Sequence, residues 1–278
     1  MTQDQPLRAS RAERRAVPEL ARIPPGDRPM HSPGAGLRLA MWSGPRNIST
    51  AMMRAWENRP DCTVVDEPLY AAYLAATGLD HPARDEVIAG GDTDWRRVVQ
   101  RLTLGPVPEA RPVWYQKHMT HHLLPGMDLA WVHRLTNVFL IRDPAEVVDS
   151  YLKSRATVVP EDIGLLQQAA LYDEVLRESG KPPPVIDADD FLRDPEACLR
   201  ALCSRLGLAF SERMLHWPAG PRPSDGVWAP HWYAAVWRST GFEPWRGRTP
   251  SLDAAARAVA DACRQAYEHL RQARMQLE

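Results

Sequence analysis

The chain has 278 residues, of which 44% are hydrophobic and 25% are charged, and its formal net charge is −1 at pH 7. These values are typical of an ordinary globular protein with one large domain or two small ones, and they exclude a strongly basic protein that would bind nucleic acid or an anionic membrane surface. No apolar run approaches the length of a membrane span, the first residues lack the apolar core of a secretion signal, and the four cysteines have no metal-site spacing, so a cytoplasmic protein is expected.

Residues 1–36 are rich in proline, arginine and glycine and have no periodic apolar pattern. This composition predicts a mostly disordered or loosely docked extension. The ordered domain is expected to begin at Leu37 and to span residues 37–278.

The sequence from Leu37 to Trp56 predicts a short apolar strand, a tight turn at Gly44 and a helix that begins at Ser49 and Thr50. Such a unit directs free backbone N–H groups and the positive end of a helix dipole toward one point. Arg46 lies at the mouth of the turn. We therefore predict a P-loop-like anion site for a phosphate or sulfate ester of a nucleotide. The alternative is an ordinary helix start with two hydroxyl caps, because the Gly-Lys pair of a Walker A loop is missing.

Four further β-strands are predicted along the chain, and helical segments separate them. The first lies in the segment Cys62–Tyr70 and is expected to end at Asp66-Glu67-Pro68, because Pro68 has no N–H to donate, and the others span Val113–His118, Asn137–Asp143 and Pro184–Phe191. Strands that alternate with helices predict one α/β domain, with a central parallel sheet and helices on both of its faces. The segment 80–111 is polar and broken by glycines and prolines, so it is expected to be either a lid that sets acceptor specificity or a surface loop.

The carboxyl ends of the predicted strands carry polar and charged side chains. A parallel sheet gathers these ends along one edge, which is where open α/β sheets bind ligands. Besides the turn at Gly44, that edge holds Glu67, Lys117, His118, Arg142 and the acidic run 187–190. Cations, carboxylates and a histidine around a set of free N–H groups suit the transfer of an anionic group from a nucleotide to a hydroxyl or an amine.

At these positions the chain resembles the sulfotransferase family that uses 3′-phosphoadenosine 5′-phosphosulfate (PAPS) as its donor. The family's donor loop reads roughly Pro-Lys/Arg-Ser-Gly-Thr-Thr, and here the segment Pro45–Thr50 reads PRNIST, with Ile48 in the place of the usual glycine. The family's second motif is a strand that ends in Arg-Asn/Asp-Pro with a serine eight positions after the arginine, which matches Arg142 and Ser150. The resemblance covers about residues 37–210.

The resemblance implies a role for each matched residue. The 5′-phosphosulfate of PAPS would be bound by the donor loop, which consists of Arg46, Asn47, Ile48, Ser49 and Thr50. The 3′-phosphate would be bound by Arg142 and Ser150. In the family a late basic segment with a glycine also closes over the 3′-phosphate, and its candidate here is Arg238, Ser239, Thr240 and Gly241.

Sulfuryl transfer needs a cation near the leaving phosphate. Arg46 is expected to supply it, with assistance from Lys117. The transferring group carries less negative charge than a phosphoryl group, so a metal ion is less necessary than in a kinase. The histidine-rich turn 118–122 lacks the ligand pattern of a zinc site, and no metal is expected.

Transfer also needs a base that takes the proton of the acceptor. Glu67 resembles the carboxylate before a proline that is the base in several bacterial and carbohydrate members of the family. His118 resembles the histidine of a Lys-x-His motif in the cytosolic members, and His121 and His122 are further candidates. On an extended strand Lys117 and His118 face opposite sides, so both cannot readily face one substrate.

The predicted activity is sulfuryl transfer to a hydroxyl or an amine of a small-molecule acceptor, with adenosine 3′,5′-bisphosphate as the nucleotide product. The alternatives are a P-loop-like kinase or phosphotransferase and a non-catalytic nucleotide-binding relative. No nucleic-acid or membrane partner is expected, and a homodimer is compatible with the sequence.

Overall fold

The computed structural model describes residues 36–247 and 249–276. Its centre is a sheet of five parallel strands in the order β2-β3-β1-β4-β5. The strands are β1 Leu37–Ser43, β2 Cys62–Asp66, β3 Val113–Met119, β4 Thr136–Ile141 and β5 Val185–Asp187. The parallel pairing confirms the predicted α/β fold class. The extension predicted over residues 1–36 lies, apart from Gly36, outside the described residues.

Helices cover both faces of the sheet, as predicted. They are α1 Ser49–Glu57, α2 Tyr70–Thr77, α3 Arg84–Gly90, α4 Trp95–Leu104, α5 Pro144–Leu152, α6 Pro160–Ile163, α7 Leu165–Ser179, α8 Ala188–Arg193, α9 Pro195–Arg205, α10 Ala229–Trp232, α11 Ala234–Arg238 and α12 Ala254–Gln272. Side chains alternate between the two faces along each strand. Trp42 and Phe139 therefore pack with α5, α7 and α12 on one face, and Met41 and Tyr115 pack with α1 and α9 on the other.

β2 ends at the Asp66-Glu67-Pro68 step, as predicted, whereas β5 is shorter than predicted. β2 ends at Asp66, because Glu67 adopts a positive φ of 41° and Pro68 has no N–H to donate to a neighbouring strand. β5 ends at Asp187, whose carboxylate accepts the backbone N–H of Asp189 at 2.9 Å and so begins α8. Each of these strand ends places a carboxylate at the point where its strand stops.

The segment 80–111 contains α3 and α4. Val98 and Leu102 of α4 are buried in the same core as Trp114 of β3. Arg38, near the start of β1, donates from Nη1 to the carbonyl of Leu102 at 2.8 Å, so α4 lies toward the amino ends of the strands. α3 instead packs beside α2 through Val87. A lid role for this segment stays a prediction.

The four cysteines are free thiols, and all of them are buried: Cys62, Cys198, Cys203 and Cys263. Burial raises the pKa of Cys62 and of Cys198 to about 12, which keeps both thiols protonated at neutral pH. Among the described residues, no helix combines the length and the apolar character that crossing a bilayer requires.

Candidate functional site

The turn after β1 has no room for a side chain at Gly44. A Cβ atom there would overlap the backbone carbonyl of Ile163, at the end of α6. The hydroxyl of Thr120 lies 3.1 Å from the carbonyl oxygen of Ser43 and 3.0 Å from that of Gly164, so it ties the turn to the start of α7. The glycine therefore allows α6 and α7 to pack directly against the turn.

Two side-chain amides fix the turn to β4. Asn47 donates from Nδ2 to the carbonyl of Leu140 at 3.0 Å, and its Oδ1 accepts the N–H of Ile48 at 2.8 Å. Gln168 of α7, which is fully buried, donates to the carbonyls of Trp42 and Leu140 at 3.0 Å each. Asn47 thus shapes the turn, and Ile48 packs against the adjacent core.

The first turn of α1 has no side-chain cap. Ile48 occupies the N-cap position and makes no capping hydrogen bond. The sequence left open a simpler role for Ser49 and Thr50 as ordinary caps, and that arrangement is not found. The backbone N–H groups at the start of this nine-residue helix therefore keep the anion-binding capacity that helix ends have.

Arg46, Arg142 and Ser150 come together at the mouth of this turn. Arg46 has a positive φ of 55° and donates from Nε to the hydroxyl of Ser150 at 3.1 Å. Arg142 donates from Nη1 to the carbonyl of Arg46 at 2.9 Å, and from Nε and Nη2 to one oxygen of Glu146 at 2.9 and 2.6 Å. Three of the predicted donor-site residues thus share one location, although they come from three separate elements.

The two arginines at this location differ in their pairing with carboxylates. Burial lowers the pKa of Arg46, and the charge of Arg142 lowers it further. Arg142 has Glu146 as an ion-pair partner, whereas Arg46 forms no ion pair with any carboxylate of the described residues. A half-buried cation beside a second cation is stabilised when an anion binds between them.

Glu67 and Lys117 belong to a buried network at the ends of β2 and β3. Lys117 donates from Nζ to Asp66 Oδ1 at 2.8 Å, to Glu67 Oε1 at 2.6 Å and to the hydroxyl of Tyr233 at 2.7 Å. Tyr233 in turn donates its hydroxyl proton to Asp66 Oδ2 at 2.6 Å. Burial lowers the pKa of Lys117, but the two carboxylates outweigh it and hold that pKa well above its usual value.

This geometry restricts the chemical role that Lys117 can have. An ammonium group has three N–H donors, and all three are directed at protein acceptors. No donor is left for the leaving phosphate, which was the expected role of Lys117. For Glu67, burial raises the pKa, and the positive charge of Lys117 offsets only part of that rise.

The three histidines lie in packed surroundings. His118 stacks on the ring of Trp42 with a centroid distance of 4.4 Å, on the face opposite Lys117, and burial lowers its pKa to about 3. His122 lies between the rings of Tyr70 and Tyr73, with centroid distances of 4.8 and 4.7 Å. His118 is thus a core residue with 1% exposure, while Glu67 reaches the edge of the sheet. Within residues 36–247 and 249–276, no group of histidine, cysteine and acidic side chains has the geometry of a metal site.

The segment Arg238–Gly241 packs on Trp217 and His216. The hydroxyl of Ser239 accepts Trp217 Nε1 at 3.1 Å, and the carbonyl of Thr240 accepts the backbone N–H of the same tryptophan at 3.0 Å. Gly241 pairs with His216, whose carbonyl accepts Asn58 Nδ2 at 2.6 Å just past the end of α1. Arg46 precedes the other end of that nine-residue helix, about 13 Å away. The contacts of this segment thus run to Trp217 and to the carboxyl end of α1, and its role at the 3′-phosphate stays a prediction.

Sequence reasoning did not identify Asp66 and Tyr233 as partners of Lys117. A signal existed for Asp66, because a carboxylate and a lysine that end neighbouring strands pair across the sheet, and Asp66 is indeed in register with Lys117. No comparable signal exists for Tyr233, which follows Lys117 by 116 residues in the chain.

Comparison with known proteins adds a family. The model of the family described as "Sulfotransferase domain" matches residues 37–271. "Branched-chain-amino-acid aminotransferase-like protein 1" of Arabidopsis thaliana is 42% identical over 201 residues, which are 72% of this chain and 36% of that protein. The chain thus spans about a third of the length of the curated relatives it matches.

Two solved structures are similar to this chain at low sequence identity. The "Sulfotransferase Domain from the Curacin Biosynthetic Pathway" has 14% identity and a TM-score of 0.49, and the match covers 82% of this chain and 97% of that one. The sulfotransferase from Alicyclobacillus acidocaldarius has 16% identity and a TM-score of 0.47, with 63% and 82% covered.

Proposed function

Because the chain belongs to the sulfotransferase domain family, we propose that it transfers a sulfuryl group from PAPS to a hydroxyl or an amine of a small-molecule acceptor. The observation that carries this proposal is the half-buried Arg46, which contacts Ser150 and Arg142 at the start of α1 but has no carboxylate partner among the described residues.

The residues present fit a doubly anionic nucleotide. Arg46 and the uncapped N–H groups of α1 would hold the 5′-phosphosulfate, and Ser150 and Arg142 would hold the 3′-phosphate. When bound, PAPS supplies the sulfuryl group and a phosphate leaving group. The positive charge of Arg46 would stabilise the negative charge that develops on that phosphate.

Glu67 is the base in this proposal. Its side chain is 12% exposed, whereas that of Asp66 is 1% exposed, so an acceptor can approach Glu67 more readily. The acceptor oxygen would form its bond to sulfur as the bond from sulfur to the leaving phosphate oxygen breaks, and its proton would pass to the Glu67 carboxylate. A raised pKa favours this proton transfer, since a base works best when its pKa lies near the working pH.

The aminotransferase-like names of the plant relatives describe proteins that this chain covers only in part. Aminotransferases use a lysine to hold pyridoxal phosphate. The chain has three lysines, and the amino group of Lys117 is enclosed by acceptors while Lys153 and Lys181 are exposed on the surface. We therefore propose no aminotransferase activity for this chain.

Thermal denaturation with nucleotides tests the donor. At 100 times its Kd, adenosine 3′,5′-bisphosphate adds about 2.7 kcal/mol to the free energy of unfolding, which raises the Tm of a domain of this size by about 5–10 °C. We expect this shift without Mg²⁺, and a smaller one with ADP. An equal or larger shift with ADP and Mg²⁺ would instead support a kinase.

Transfer itself is tested with ³⁵S-labelled PAPS and a panel of phenols, primary alcohols and amines. Label should enter at least one acceptor with the wild-type chain and not with Glu67→Gln, whose binding of adenosine 3′,5′-bisphosphate should be unchanged. Nucleotide binding without transfer to any acceptor class would point to the non-catalytic alternative.

A further inference from the structure

Two carboxylates and one ammonium group share the buried network at the ends of β2 and β3. The side chains of Asp66 and Lys117 are each 1% exposed, and that of Glu67 is 12% exposed. The three groups together carry a net charge of −1. One added proton makes the network neutral, and burial favours the neutral state. The network is therefore suited to accept a single proton.

The hydrogen bonds distinguish the two carboxylates. Asp66 accepts at both oxygens, from Lys117 at 2.8 Å and from the hydroxyl of Tyr233 at 2.6 Å. Glu67 accepts from Lys117 at Oε1, at 2.6 Å, and it lies on a strained backbone with φ 41° at the edge of the sheet. Hydrogen bonds to a carboxylate stabilise its charged form. Asp66 thus has one more hydrogen-bond donor than Glu67, and Glu67 is the carboxylate at the more exposed edge of the network.

A buried ion pair between Arg54 and Asp225 ties the segment that carries Tyr233 to α1. Tyr233 lies between α10 and α11, and Trp228 Nε1 donates to its hydroxyl at 3.3 Å. In the same segment Asp225 accepts Trp237 Nε1 at 2.9 Å and forms a buried ion pair with Arg54 of α1 at 2.5 Å. The segment 225–237 is therefore clamped to α1, which also carries the anion site at its other end.

From this arrangement we infer that Asp66 and Tyr233 are positioning residues, which hold Lys117 against Glu67 and so reserve Glu67 as the carboxylate that accepts the acceptor's proton. This inference rests on the proposed function for the origin of the proton, because the proton comes from the hydroxyl or amine that attacks sulfur. The distribution of the proton between the two carboxylates, however, is a property of the chain itself and can be measured without substrate.

The test is an infrared titration of protonated carboxyl groups in the full chain. The wild type should show a carboxyl band with a midpoint above the usual value near 4.5, and Glu67→Gln should remove it. Asp66→Asn should lower the midpoint of the Glu67 band, since the substitution removes a negative neighbour. Tyr233→Phe removes a hydroxyl donor that lowers the pKa of Glu67, so it should raise the midpoint of the same band.

Tyr267→Phe is a matched control. Tyr267 is buried and donates to the buried Asp187 at 2.7 Å, at the end of β5, and it makes no contact with the Glu67 network among the described residues. This variant should leave the Glu67 band unchanged. Near-ultraviolet circular dichroism shows whether each variant is folded, and if Asp66→Asn is not folded, Tyr233→Phe decides the question.

Two results would overturn the inference. One is a titrating band that survives Glu67→Gln and disappears in Asp66→Asn, because the proton would then lie on Asp66. The other is a Glu67 band that neither Asp66→Asn nor Tyr233→Phe shifts. Binding of adenosine 3′,5′-bisphosphate, measured by calorimetry on the same samples, reports separately on the proposed function, and we expect it to be the same in all network variants.

Discussion

Replacement of Arg46 by glycine should weaken donor binding strongly and leave the stability of the free protein almost unchanged. Arg46 combines three features that rarely occur together: a positive φ of 55°, a pKa lowered by burial and by Arg142, and no carboxylate partner in the described part of the chain. A residue held this way contributes little to folding. We expect Arg46 to contribute free energy to binding once an anion occupies the site.

The magnitudes support a small change in stability. Glycine relieves about 1–2 kcal/mol of strain in the left-handed region, and it removes the repulsion from Arg142. Against this, the unfolded chain gains freedom worth about 0.5–1 kcal/mol, and the hydrogen bond from Arg46 to Ser150, worth about 1 kcal/mol, is lost. These terms nearly cancel, so the free energy of unfolding should stay within about 1 kcal/mol of the wild-type value.

The effect on binding should be much larger. Hydrogen bonds to a charged group are worth about 1.5–3 kcal/mol each, and Arg46 carries a guanidinium group in the turn that precedes α1. The loss of two such bonds raises the Kd for adenosine 3′,5′-bisphosphate by about 100-fold or more, because 1.4 kcal/mol corresponds to a factor of ten. Titration calorimetry measures the affinity, and urea denaturation measures the stability.

Glu109→Gly is the control for the backbone. Glu109 also has a positive φ, of 56°, but it is exposed and lies outside the site. Its replacement should not change the Kd. A Kd for Arg46→Gly within threefold of the wild-type value would refute the assignment of the anion site. A loss of stability above about 3 kcal/mol would refute the view that Arg46 contributes little to folding.

Three further predictions follow from buried positions. Gly44→Ala should lower the stability measured by thermal denaturation by more than about 2 kcal/mol, because the alanine Cβ would overlap the backbone carbonyl of Ile163 in α6. Gly90→Ala should not destabilise the protein, because a Cβ at that position meets open space. Burial lowers the pKa of His118 to about 3, below its unfolded value near 6.5, so the unfolded chain binds more protons. His118 should therefore contribute a loss of stability of about 1.4 kcal/mol per pH unit below pH 6.5, beside the losses from His121 and His122, whose pKa values burial also lowers. Denaturation of His118→Gln should show a weaker dependence on pH. Asp225→Asn leaves Arg54 with a weaker partner and should cost about 3 kcal/mol in urea denaturation, while a cost below 1 kcal/mol would show that the ion pair does not hold its segment.

Much of the fold could be predicted because its signals are local. Apolar runs bounded by turn residues marked all five strands, and alternation with helices implied a parallel sheet with helices on both faces. Errors occurred where one residue ended an element, as with Asp187, whose side chain caps α8 and so shortens β5. A cap depends on the rotamer of one side chain, which a pattern of apolar residues does not report.

The site was predictable to the extent that strand ends converge. Arg46 and Arg142 were expected at one edge because parallel strands bring their carboxyl ends together, and the family resemblance placed Ser150 with Arg142. The structure places all three in contact. Arg238–Gly241 was assigned through the family resemblance, and its role stays a prediction, since the segment contacts Trp217 in the described structure.

The sequence by itself determined the strand order along the chain, the tight turn at Gly44 and the cations around it, because these depend on neighbouring residues and on the topology that alternating elements impose. The tertiary structure decided which side chains are buried and which residues they contact. In the folded chain Lys117 donates hydrogen bonds to Asp66, Glu67 and Tyr233, and His118 is buried against the ring of Trp42. The charge state of a group depends on its burial and its nearest partners, and residues distant in sequence supply both.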